Sequence, residues 1–93
     1  MNNEKLREWA ESIEIRTDLR DTGSKHQDKA KEILALVKEA RENPTLNVYE
    51  RLRRVQFISC IGATDYVSYC RYLQYCVNQL DSYVRKDGGA QDG

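Results

Sequence analysis

Ninety-three residues with 15 basic and 15 acidic side chains carry a formal net charge of zero, which argues against a dedicated duplex-DNA binder, where a basic excess is usual. With one proline and 32 % charged residues, the composition favours a single helical domain, small enough to bury only ~60–65 % of its unfolded surface. The N-terminal MNNEKLREWAE contains acids and no run of about 18 apolar residues occurs, so neither a signal peptide nor a membrane span is expected.

Leu6, Trp9, Ala10 and Ile13 recur at i, i+3, i+4 and i+7, one stripe of an amphipathic helix. Ile15 and Leu19 continue the apolar pattern with some drift, and Gly23 is a candidate left-handed stop, so the first helix is predicted over about 3–21. Ser24 with Gln27 three residues on is a capping-box signature. Ala30, Ile33, Leu34, Val37 and Ala40 then repeat the stripe until Asn43-Pro44, which predicts a second helix over 24–42.

Asn47 with Glu50 suggests a third start. From Val48 to Tyr83, apolar or small residues alternate by four and three, which predicts one long helix over 47–85. Its stretch from Val55 to Leu80 holds only two charges, Asp65 and Arg71, and the small residues around Gly62 mark its weakest point. The tail 87–93 lacks an apolar anchor and is expected to be disordered. The expected fold is therefore all-α, a single domain over 1–86. A helical hairpin plus a long, kinked or continuous third helix forms a three- to four-helix bundle. Two short helices cannot wrap a long one that is apolar around most of its circumference, so a second copy of the chain is expected to complete the cover.

No residue pattern supports catalysis or a cofactor. His26 is the only histidine, expected to be exposed, and it has no His or Cys at metal-ligand spacing; Cys70 and Cys76 fall on different helix faces. The odd set Cys60, Cys70 and Cys76 reads as reduced thiols of a cytoplasmic protein. A helix-turn-helix register with Gly62 at the turn places Ser68 and Arg71 where that motif needs aliphatic residues.

Charge is uneven along the chain. Residues 1–43 have a net charge of −1, whereas 47–86 have a net of +3 that includes Arg51, Arg53 and Arg54. Five of the six tyrosines lie between Tyr66 and Tyr83. Tyrosine buries a large ring while keeping its hydroxyl satisfied at a wet rim, so Arg51, Arg54, Tyr66, Tyr69, Arg71, Tyr72 and Tyr75 are the candidate contact residues.

Ile61-x-x-Thr64 and Leu73 in a charge-poor helix resemble phage-encoded helical proteins that sequester cyclic nucleotide signals. That resemblance implies a short helical hairpin beside a kinked partner helix in an oligomer, and it carries no binding residue across. The first expectation is a non-enzymatic interaction protein that regulates or inhibits a larger protein partner. Compact, motif-free chains of this kind are typical of phage and mobile-element accessory proteins. The alternative is an oligomeric module for a small anionic ligand, such as a nucleotide or cyclic oligonucleotide.

Overall fold

The computed structural model describes residues 2–92, with side chains described for 2–85. The tail expected to be disordered, 87–93, therefore lies outside the fully described residues. Four helices follow in chain order: α1 (Asn3–Glu11), α2 (Lys25–Glu42), α3 (Leu46–Arg53) and α4 (Asp65–Asp92). The all-α expectation holds, and no strand occurs among the described residues. No helix is long and apolar enough to cross a membrane among those residues.

α1 is capped by Asn2, whose side chain accepts from Glu4 N and Lys5 N. It stops at Glu11, ten residues before the boundary expected from the sequence. Ser12 closes its last turn by donating from Oγ to Trp9 O (2.6 Å). Beyond it, β-branched Ile15 and Thr17 and the helix-averse Asp18 give little helical preference. The Arg16–Asp18 ion pair (2.8 Å) joins residues two apart, which a helix would point in different directions. Gly23 is indeed left-handed (φ +63°), but it shapes the entry to α2 rather than the exit from α1.

The segment between α1 and α2 is held by side chains from other helices. Tyr69 OH donates to Glu14 O (2.8 Å) and accepts from Arg16 N (3.0 Å), and Tyr72 OH accepts from Glu14 N (2.9 Å). Arg41, in the last turn of α2, donates from Nε to Ala10 O (2.9 Å) and from Nη2 to Ile13 O (2.8 Å). Charge-assisted bonds to carbonyls that have left the helix ladder contribute more than neutral ones. Arg41→Met is expected to destabilise the fold by about 1.5–3 kcal/mol. Arg41→Lys recovers little of that, because one ammonium cannot span both carbonyls. Thermal melts of the two variants side by side check this.

α2 starts as the sequence indicates. Ser24 Oγ accepts from Gln27 N (3.2 Å). The buried Gln27 side chain returns the contact one step further out, accepting from Gly23 N (2.6 Å) and Thr22 N (2.7 Å). α3 starts two residues earlier than its expected cap: Thr45, not Asn47, is the N-cap, with Oγ1 accepting from Val48 N (3.2 Å). This register turns Val48, Tyr49 and Leu52 inward and leaves Asn47 exposed.

The long third helix predicted over 47–85 is replaced by two helices and an extended connection. α3 ends at Arg53, residues 55–64 are non-helical, and Gly62 sits at φ +128°, which an L side chain rarely adopts. Val55, Phe57, Ile58 and Ile61 are β-branched or aromatic, types that resist the helix and suit extended backbone. Thr64 then restarts the helix, its Oγ1 accepting from Val67 N (3.3 Å). Ile61 and Thr64, two of the residues behind the cyclic-nucleotide resemblance, thus lie outside any helix.

The core draws on all four helices: Leu6, Trp9 and Ala10; Ile33, Val37 and Ala40; Val48 and Leu52; Leu73, Val77, Leu80 and Val84. α2 lies against α1, α3 and α4, and α1 also packs on α4. Each fully buried aliphatic side chain contributes roughly 1.5–3 kcal/mol of transfer free energy. The apolar circumference of α4 that seemed to need a second copy is thereby covered from within the chain on its inner side.

Candidate functional site

The connection 55–64 runs antiparallel to α4 and is fixed to it by side chains. Gln74, nearly buried, accepts from Ile58 N (2.8 Å) and donates to Ile58 O (2.9 Å), acting as a one-residue strand partner. Arg71 Nη2 donates to Cys60 O (2.7 Å) and Gly62 O (3.4 Å). His26, half-buried rather than exposed, places Nε2 3.0 Å from Ser59 O; a carbonyl only accepts, so Nε2 carries the proton. Non-helical backbone is thus supplied with partners from α2 and α4.

Pinned in this way, the segment alternates as an extended chain does. Ile58 and Cys60 turn inward, whereas Phe57, Ser59 and Ile61 face out. Phe57 is 48 % exposed and Ile61 83 % exposed. On the adjoining outer face of α4, Tyr75 is 63 % and Tyr72 36 % exposed.

Where the segment leaves α3, a cleft of about 320 Å³ opens between Arg53, Val55, Phe57, Val77, Asn78 and Asp81. Its polar wall is a small network. Tyr49 OH donates to Asp81 Oδ1, Arg53 Nη2 pairs with Asp81 Oδ2 (3.4 Å), and the Arg53 guanidinium lies 5.6 Å from the Tyr49 ring centroid. Burial, with the neighbouring Asp81 carboxylate, holds the Tyr49 phenol above its ordinary pKa, so it remains a donor through the neutral range.

The residues expected to make contacts separate into different environments. Tyr69 is buried, and burial raises its phenol pKa, keeping the proton it donates to Glu14 O. Tyr72 stacks on Tyr69 with centroids 6.1 Å apart and has its hydroxyl engaged by Glu14 N. Tyr66 is half-buried against the core. Arg51 pairs with Glu39 of α2 (3.2 Å), and Arg71 is committed to the segment carbonyls. Tyr75 and Arg54 remain open to solvent.

Phe57 and Ile61 lie beside the four-and-three seam of the long helix expected over 47–85, where they would widen its apolar arc. Both parities of this stretch carry apolar residues, Phe57 and Ile61 on one and Ile58 and Cys60 on the other, so no period-two signal marks which set faces out. Gln74 carried no such signal; its role depends on which backbone lies beside it.

Among the described residues, no group of three or more His, Cys, Asp or Glu side chains converges to hold a metal ion. Comparisons with protein-family models, with curated proteins and with solved structures found no match for this chain.

Proposed function

We propose that this protein is a non-enzymatic, cytoplasmic interaction domain that regulates or inhibits a larger protein by docking through the outer side of segment 55–62 and the adjoining face of α4. One observation carries the reading. Phe57 and Ile61 are exposed on backbone that three other side chains hold in place, and Tyr75 is exposed on helix α4. A preordered apolar surface loses little conformational freedom when a partner covers it.

Charge indicates the partner's chemistry. The half of the chain bearing this surface has the net of +3, and Arg54 and Arg85 are exposed. The complementary partner presents an apolar segment flanked by acidic residues. Self-association through the same face is a further proposal. Phe57, Ile61, Tyr72 and Tyr75 supply only part of the ~800 Å² per partner that a standard interface buries. A larger partner that also reaches the arginines covers more.

Small anionic ligands, such as nucleotides or cyclic oligonucleotides, form the second reading, favoured by the aromatic and cationic walls of the cleft at Phe57 and Arg53. It ranks lower because Asp81 already neutralises Arg53 and Glu39 already pairs with Arg51. A nucleotide that raises Tm at millimolar concentration would reverse that order.

The test is a photo-crosslinking residue placed at position 61 or 75, with position 38 on the exposed side of α2 as control. A defined adduct from 61 and 75, mapping to an apolar partner peptide with flanking Asp or Glu, is expected. Ile61→Asp should weaken capture at least tenfold while shifting the melting curve little, since exposed substitutions rarely change stability by more than about 0.5 kcal/mol. Equal crosslinking from position 38, or capture unchanged by Ile61→Asp, overturns the surface. An adduct of twice the chain mass assigns the face to self-association.

A further inference from the structure

Cys60 is attached to one turn of α4 through both its backbone and its sulfur. Its carbonyl accepts from Arg71 Nη2 (2.7 Å), and its Sγ receives Gln74 Nε2 (3.5 Å). The Sγ also contacts Ile58 O (3.7 Å) on its own segment. Cys70 precedes Arg71 directly and lies one helical turn before Gln74, on the same face. Gln74, which donates to the Cys60 sulfur, is therefore the i+4 neighbour of Cys70 on α4. Cys70 is fully buried, and Cys60 is half-buried at the edge of the segment. Cys76, six positions further on, belongs to a different face, where its carbonyl accepts from Trp9 Nε1 (2.9 Å).

We infer that Cys60 and Cys70 form a thiol pair that small-molecule disulfides convert to an intramolecular disulfide, fastening the extended segment to α4. Their burial differs in the way such exchange requires. The more accessible Cys60 thiolate attacks the small disulfide RS–SR, forming Cys60–S–SR and expelling RS⁻, which takes a proton. The Cys70 thiol then loses its proton to solvent, and its sulfur attacks Cys60 Sγ, breaking the Cys60–SR bond and releasing a second RS⁻. The protein loses two electrons and two protons, and one RS–SR gains them to become two RSH. Cys60 lies in extended chain two residues before Gly62, so the approach of the two sulfurs requires no helix to deform.

The second step should be the slow one. Burial, reinforced by the Cys60 thiol beside it, pushes the Cys70 thiol up to about 12. Its thiolate fraction, and with it the rate of closure, therefore increases about tenfold per pH unit across the neutral and mildly alkaline range. In a reducing compartment the bond is transient, the behaviour of redox-responsive rather than structural cystines. The inference is independent of what docks on the outer face, because both sulfurs lie on the inner side of the segment.

The experiment treats the reduced protein with oxidised glutathione at pH 8 and pH 9, quenches with acid, and follows intact mass and alkylated peptide maps. Expected are a transient single glutathione adduct on Cys60 and then a chain lighter by two hydrogens, with Cys60 linked to Cys70. Closure should be about tenfold faster at the higher pH. Cys76→Ser should behave as the parent, and Cys70→Ala should stop at the Cys60 adduct. Oxidation also raises Tm and slows amide exchange over 55–62. A persistent adduct on Cys60 in the parent protein, a link to Cys76, or no reaction at Cys60 overturns the inference. The parent protein alone decides the matter if either variant fails to fold.

Discussion

Trp9→Ala is expected to destabilise the protein by about 3–5 kcal/mol, the largest loss among single substitutions considered. The indole is 2 % exposed in the core that α1 shares with α4. Its Nε1–H donates to Cys76 O across 67 positions of sequence (2.9 Å), so one side chain provides both apolar burial and a directional tie. α1 has only nine residues, too short to persist without tertiary packing. A domain of this size has roughly 5–14 kcal/mol to lose, so the variant should be partly unfolded near body temperature. Urea denaturation followed by far-ultraviolet circular dichroism measures it, since the only tryptophan is removed. Trp9→Phe should cost substantially less, because it keeps most of the apolar volume and Cys76 O retains its place in the helix. A loss below about 1 kcal/mol for the alanine variant would mean that α1 does not dock on α4 through this residue.

Gln74→Leu should release the extended segment while leaving the four helices in place. The change preserves volume but leaves Ile58 N and Ile58 O without their partner, both in a partly buried setting. Unmet backbone groups there cost about 2–3 kcal/mol, which corresponds to a roughly 30- to 150-fold faster amide exchange at Ile58. Far-ultraviolet dichroism should change little, because the segment is not helical.

Gln74→Glu separates the two bonds. An ionised carboxylate can still accept from Ile58 N but cannot donate to Ile58 O. Protonation restores a donor, so protection of the segment should recover as pH falls through the pKa of the new carboxyl group. Equal protection at low and neutral pH, each relative to the unprotected rate at that pH, would indicate that the amide's donor half contributes nothing. If the outer face is the docking surface, Gln74→Leu also weakens partner capture with Phe57, Ile61 and Tyr75 all still present.

Some parts of this architecture were written locally. α2 was legible from Ser24 to Asn43 because an N-cap, a 3.6-residue stripe and a proline-flanked stop all lie within the element itself. The inward residues of α1 and α4 were legible for the same reason: Leu6, Trp9, Leu73 and Leu80 keep helical spacing. The site was legible in composition but not in arrangement. The tyrosines of α4 stood out in the sequence, yet Tyr69 and Tyr72 spend their hydroxyls on Glu14 and Arg16, and the exposed large apolar side chains include Phe57 and Ile61 of another segment beside Tyr72 and Tyr75.

By itself, then, the sequence determined the helical class, the span of α2 and the apolar faces, because periodicity and capping act within a few residues of one another. Tertiary structure alone decided where α1 and α3 end and which apolar residues stay outside. A helix–coil boundary in a sequence of indifferent propensity is set by whether the released N–H and C=O groups find other partners. Here they find them far away in the chain, at Arg41, Tyr69 and Tyr72 for the first connection and at His26, Arg71 and Gln74 for the second. Those side chains meet the backbone only once the helices have packed, so no local reading of the residues could have placed the breaks.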